Sequence, residues 1–165
     1  MKAVCVLTNT PKFVKGYIEF SEIQDYILIT VNITGLTEGY HGIHIHEYGD
    51  LRENCKSVCS HFNPYNTLHG DIGDSKNNRH IGDLGNIYAN EEANVNITFK
   101  DYFIKFKGKC NIIGRSVVIH EKEDDLGRGG IDYLGNIINE KIYNESIKTG
   151  NAGSRIACGV IGWCK

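Results

Sequence analysis

Long apolar runs are missing from this chain. The longest, Ile156 to Trp163, falls far short of the ~20 residues that cross a bilayer as a helix. A surplus of either charge is missing too. The formal net charge is -2, which offers nothing to a nucleic acid or an anionic membrane. The first residues, MKAVCVLTNT, lack a charged stretch followed by an apolar core and a small-residue cleavage site. The expectation is therefore a soluble, cytoplasmic protein, in which the Asn-x-Ser/Thr sequons at Asn32, Asn96 and Asn144 are chance matches. Proline is scarce, at 2 against 19 glycines, so turns fall to Gly and Asn. No window carries a sustained apolar stripe of helical period, and no internal repeat or low-complexity tract is present.

What is present is strand pattern. Lys2 to Leu7, Val14 to Phe20, Tyr26 to Ile33, Ile43 to Tyr48, Asn86 to Ala89, Ala93 to Phe99, Tyr102 to Phe106, Ser116 to Ile119 and Ile156 to Ile161 are short β-branched or aromatic runs. Clusters of Gly, Asn and Asp separate them. Such spacing predicts an all-β antiparallel barrel or sandwich, with residues 1–165 as a single domain. Two segments break the pattern: Gly49 to His80 and Glu121 to Arg155 each run over thirty residues with little strand signal. Loops of that length are uncommon in a compact domain unless they are functional. A rigid sheet places such loops where chemistry happens.

The stretch GIHIHEYGD, Gly42 to Asp50, puts His44 and His46 on one face of a strand and Ile43 and Ile45 on the other. At ~3.3 Å rise per residue their Cα atoms lie ~6.6 Å apart, close enough for both rings to reach one metal. His61, His69 and His80 fall in the first long segment, Asp83 follows across Gly82, and His120 ends a strand where the second segment begins. Three imidazoles and a carboxylate suit a closed zinc site. Imidazoles without thiolates suit Cu(II). His41, in the turn Gly39 to Gly42, is read as a structural hydrogen-bonder. Six cysteines in a chain without an export signal suggest metal ligands, reactive thiols or apolar fillers. Cys55, Cys59 and His61 spell half of a structural zinc motif, but no second half follows.

GLTEGYHGIHIHEYGD, HFNP, RHIGDLGN, IIGRSVVIHEKEDDLGRGG and KTGNAGSRIACGVIG, in this order along nearly the whole chain, resemble the copper/zinc superoxide dismutase family. The resemblance implies an eight-stranded Greek-key barrel or sandwich with two long functional loops, an architecture this enzyme is known for. It implies that copper is held by His44, His46, His61 and His120, and zinc by His61, His69, His80 and Asp83, with His61 bridging the metals. Asp124 matches a carboxylate linking a copper-bound and a zinc-bound histidine, here expected to be His46 and His69. Arg155 matches the guanidinium that receives the anion beside copper. Lys148 matches a steering lysine, Thr149 a channel wall residue, and Lys122 is a weaker steering candidate. Cys55 and Cys158 match the family's disulfide, though Cys59 stands close enough to Cys55 to compete. The implied reaction turns two superoxide anions and two protons into O2 and H2O2. The implied partners are a second copy, through Ile112 to Arg115 and Gly159 to Gly162, and a copper chaperone.

Two readings compete with the enzyme. A binding module that engages copper-delivery proteins would need no complete ligand set and no Arg155. A zinc-only domain gives no reason for His44, His46 and His120 to occur together. The chain departs from the family in an insertion, IDYLGNIINEKI at 131–142, read as a tolerated surface segment. It also carries Trp163 and Cys164 where smaller or polar residues are usual.

Overall fold

The computed structural model describes residues 1–8, 10 and 13–165. Its strands are β1 (Lys2–Val6), β2 (Lys15–Ile23), β3 (Tyr26–Thr34), β4 (Gly39–His46), β5 (Arg52–Cys55), β6 (Asp83–Ala89), β7 (Asn94–Asp101), β8 (Ser116–His120) and β9 (Arg155–Trp163), with one α-helix, α1 (Glu140–Thr149), before the last. All strands but β5 join one sheet in the order β6-β4-β8-β9-β1-β2-β3-β7. Every pairing in it is antiparallel. The outer strands β6 and β7 also pack on each other, so the sheet curls into a nearly closed barrel, which limits exposed edges.

Alternation drives the closure. Along β3, Ile27, Ile29, Val31 and Ile33 are buried while Leu28, Thr30 and Asn32 are only half-buried. Ile18 and Phe20, Ile43 and Ile45, and Val117 and Ile119 fill the same interior. Fully burying one such side chain stabilises by about 1.5–3 kcal/mol. Because Ile43 and Ile45 point into the barrel, His44 and His46 point out of it. They are nevertheless buried, since the two long loops cover that outer face.

Three sequence expectations need correction. Tyr102 to Phe106 is not a strand. Asp101 Oδ1 accepts hydrogen bonds from Phe103 N and Ile104 N at 2.7 and 2.8 Å, a side-chain turn that ends β7. Ile104 and Phe106 still enter the core, so the apolar spacing reflected burial rather than pairing. His41 lies in β4 rather than a turn, although it is a structural hydrogen-bonder: Nδ1 meets His120 O at 2.8 Å and Nε2 meets Thr37 O at 2.9 Å. The segments taken as irregular also contain regular structure, β5 in the first and α1 in the second.

The helix has clear ends. Asn139 caps its N-terminus by accepting from Ile142 N at 3.1 Å. Gly150 closes its C-terminus in the left-handed conformation, φ 68°. Its inner face is Tyr143, Ser146 and Ile147, half-buried around a fully buried serine. A polar residue at the centre of that face hides the helical period from an apolar count. The inserted segment turns outward. Ile131 bridges Ile137, Asp132 Oδ1 accepts from Leu134 N and Asn136 N at 2.9 Å, and Tyr133 at its tip is 94% exposed.

Candidate metal centre

β4 and β8 are hydrogen-bonded neighbours with Ile43 opposite Ile119, which brings His120 beside His44. The first loop returns to β4 through Phe62 N to Ile45 O at 2.8 Å and an isolated bridge of His46 with His61. Donor atoms of His44, His46, His61 and His120 thus all lie within 4.8 Å of one another, as do those of His44, His61, His69 and Asp83. His80 joins the second group through Asp83: Oδ1 of that carboxylate stands 2.9 Å from His61 Nδ1, 3.0 Å from His69 Nδ1 and 3.1 Å from His80 Nδ1. Separations near 3 Å suit four donors around one zinc at ~2.0–2.2 Å.

His44 is close to both groups, but one of its nitrogens is taken. Asp124 Oδ2 lies 2.7 Å from His44 Nε2, and Oδ1 lies 2.7 Å from His69 Nε2. Asp124 therefore joins His44 to His69, not His46 to His69 as the sequence suggested. The reason is local: His46 Nδ1 already meets the Cys59 carbonyl at 2.9 Å, on the other side of the cluster. Asp124 is itself held by a reciprocal pair with Asn86, both bonds 2.8 Å.

Four buried nitrogens have no hydrogen-bond partner among the described residues: His44 Nδ1, His46 Nε2, His69 Nδ1 and His120 Nε2. His69 Nδ1 is 3.0 Å from Asp83 Oδ1 without forming a hydrogen bond to it, a spacing that two ligands of one metal can share. An unpartnered buried polar atom costs about 1–3 kcal/mol. Four in one cluster fit metal ligation, and the imidazole and carboxylate donors fit copper and zinc.

Burial holds His44, His46 and His61 well below the ordinary imidazole range and lowers His120 to about 4. These rings stay neutral, with lone pairs available. Burial opposes charge on His69 as well, but the hydrogen bond to Asp124 and the adjacent negative charge of Asp83 win and raise it to about 10. Burial likewise opposes the Asp83 carboxylate, yet His61, His69 and His80 hold it well below its usual range.

An open cavity of about 590 Å³ leads to His46, His61 and His120, and Lys56, Cys59, Lys148, Thr149 and Arg155 line it. Arg155 Nη1 donates to Cys55 O at 2.8 Å and Nη2 to Cys59 O at 2.7 Å, which fixes the guanidinium in the wall. Lys148 belongs to the last turn of α1. Lys122 is not in this wall; it packs below Gly153. Cys55 is bonded to Cys158, 103 positions away, and Cys59 is a free, exposed thiol. The competing pairing has not formed.

Sequence reasoning missed several supports. A Cβ on Gly150 would meet Asp124 Oδ1 at 1.9 Å and His69 Nε2 at 2.5 Å, so the helix cap also makes room for the carboxylate between the histidines. Ser146 Oγ donates to Asp125 Oδ1 at 2.5 Å, tying α1 to the residue after Asp124. Buried Arg79 pairs with Asp101 and donates to Ile72 O at 2.6 Å, anchoring the loop that carries His80. The glycine after a helical segment was the one available signal.

A family model described as copper/zinc superoxide dismutase matches residues 14–161. The chain is 48% identical to a Cu-Zn superoxide dismutase of Paramecium bursaria Chlorella virus 1, over 100% of this chain and 80% of that protein. It is 47% identical to Cu-Zn superoxide dismutase A of Xenopus laevis, over 99% of each. A crystal structure of the clock protein EA4 superposes with a TM-score of 0.85 at 42% identity, covering 98% of this chain and 93% of that one.

Proposed function

The chain belongs to the copper/zinc superoxide dismutase family, an oxidoreductase family with copper and zinc as cofactors, and from that premise we propose how its residues divide the work. His44, His46, His61 and His120 hold copper; His61, His69, His80 and Asp83 hold zinc. The observation that carries this reading is the pair of donor groups that share His44 and His61, of which His44 has one nitrogen engaged by Asp124 and His61 has Nδ1 beside Asp83, with unpartnered buried nitrogens in both groups.

When bound, copper supplies one-electron chemistry, alternating between Cu(II) and Cu(I) as one superoxide is oxidised to O2 and the next is reduced to H2O2. The protein supplies position, charge and protons. His61 faces Asp83 through Nδ1, so the zinc group fixes its ring and leaves Nε2 to hold a proton and release it as peroxide forms. Asp124 holds His44 and His69 by their outer nitrogens, which sets tautomer and ring orientation. The Cys59 carbonyl does the same for His46. Arg155, fixed by two carbonyls, presents charge and N–H donors to an entering anion. Lys148 and Thr149 extend that wall toward solvent.

Replacing His61 by Ala tests the assignment. Copper and zinc should no longer share a ligand, the copper spectrum should change, and dismutation should collapse. A chain that takes up zinc alone, even after copper reconstitution, overturns it. The same reading includes a cytoplasmic homodimer loaded by a copper chaperone. Half-exposed Trp163, edge-on to Phe106 at 5.2 Å, borders the expected contact, and sedimentation of Trp163→Ala against the natural chain tests it.

A further inference from the structure

Cys59 stands apart from the other free thiols. Cys5 is buried, and burial pushes its thiol up to about 12, while Cys110 and Cys164 are half-buried. Cys59 is exposed and lines the same cavity as His46, His61 and His120. Its backbone lies in the left-handed region, φ 67°, where a side chain other than that of Gly, Asn or Asp is uncommon. Its carbonyl already serves His46 Nδ1 and Arg155 Nη2, and glycine would offer that carbonyl equally well. The backbone role therefore does not account for the sulfur. An outlier of this kind beside a site motivates a functional reading.

Two further observations point to the ligand. His46 Nε2 and His120 Nε2, on residues 0% and 4% exposed, have no hydrogen-bond partner among the described residues, and both rings border this cavity. The cavity lining also carries Lys56, Lys148 and Arg155 against the single carboxylate of Glu145, a net positive wall that favours anions over a free metal cation. Thiolate sulfur selects Cu(I), whereas imidazole accommodates copper more generally.

We infer that Cys59 is a transit ligand for Cu(I), receiving the ion at the cavity mouth from a thiol donor and passing it to the histidines beneath. The inference rests on the assignment of His44, His46, His61 and His120 to copper. In the first step the donor sulfur–copper bond breaks as the Cys59 Sγ–copper bond forms. The Cys59 proton passes to the departing donor thiolate. In the second step imidazole nitrogens replace Sγ, which takes back a proton from solvent. Nothing is oxidised or reduced in either exchange. The wall then admits copper as an anionic thiolate complex in preference to the bare ion.

The test uses the full chain with its disulfide intact, loaded with zinc alone, and glutathione-bound Cu(I) as donor. Copper transferred is followed by metal analysis after rapid separation. In Cys59→Ser and Cys59→Gly the transfer rate should fall by about tenfold, the scale on which loss of a supporting metal contact acts. Cys110→Ser should leave it unchanged. Substoichiometric Cu(I) should also slow alkylation of Cys59 before the histidines fill. Equal transfer rates in the natural chain and both Cys59 variants overturn the inference, as does alkylation of Cys59 that Cu(I) does not slow. Prolonged incubation with Cu(II) separates this from failure of the copper assignment. If the histidines hold copper, both variants reach the same final content as the natural chain; if they do not, none of the three chains retains it.

Discussion

At the scale of single residues, charge and orientation matter more than packing. Asp124 touches neither donor group through the inward nitrogens, yet it fixes two rings through their outer ones at 2.7 Å. Asp124→Asn keeps the shape and removes one acceptor. Metal affinity should fall by about 10- to 100-fold, with copper and zinc both affected because the proposed assignment gives His44 to copper and His69 to zinc. Competition against a chelator measures it, and loss of only one metal's affinity contradicts the bridge. Arg155 acts differently, since it lies in the cavity wall rather than the cage. Arg155→Ile should cut the second-order rate by about tenfold, within the general range for electrostatic steering, while metal content stays nearly constant. Its remaining rate should depend less on salt, because screening acts over ~10 Å at 0.1 M. An unchanged rate at low salt removes Arg155 from the path of the anion.

At the scale of elements, the helix and the strands cooperate in holding loops that have little core of their own. α1 carries Lys148 and Thr149 to the cavity and closes on Asp124 through Gly150. Gly150→Ala both strains a backbone at φ 68° and drives a methyl into the Asp124–His69 contact. It should destabilise the protein by about 1–3 kcal/mol and weaken zinc retention. Asn139→Ala removes only the N-terminal cap and should cost about 1 kcal/mol, with metal binding intact. Thermal unfolding with metal analysis separates the two; equal zinc loss in both variants would mean that the helix as a whole, not the glycine, supports the site.

At the scale of the whole molecule, one covalent tie and one set of buried bases dominate. The Cys55–Cys158 bond joins the first loop to β9 across 103 positions. Closing a loop of about a hundred residues is worth up to ~4.7 kcal/mol in the chain-entropy model, so Cys55→Ser with Cys158→Ser should lower the urea midpoint clearly. In the metal-free protein, His44, His46 and His61 are held well below 6.5 and His120 at about 4. The unfolded chain binds protons at these positions before the native one does. Their stability is thus full above about 6.5 and lost as pH falls toward 4. His69, raised to about 10, runs the other way: its contribution is full below 6.5 and fades as pH rises through 10. Four rings outweigh one, so the metal-free urea midpoint should drop between pH 7 and 5. A midpoint that holds or rises in that interval refutes the balance.

The sequence by itself determined the antiparallel all-β class and singled out the histidines as candidate ligands, because strand alternation and histidine spacing are written in short-range pattern; their division between two metals came only with the family resemblance. Strict alternation in β3 marks its inward face, and His44-x-His46 marks a strand whose outer face is chemically distinct. The helix was not legible, since its buried face centres on Ser146 and ends on Gly150, residues that an apolar count passes over. The ring that Asp124 holds was decided only by tertiary structure. His44 and His46 share a face and a residue type, and no spacing distinguishes them. The Cys59 carbonyl claims the outer nitrogen of one, the second loop delivers a carboxylate to the other, and both events depend on contacts distant in the chain.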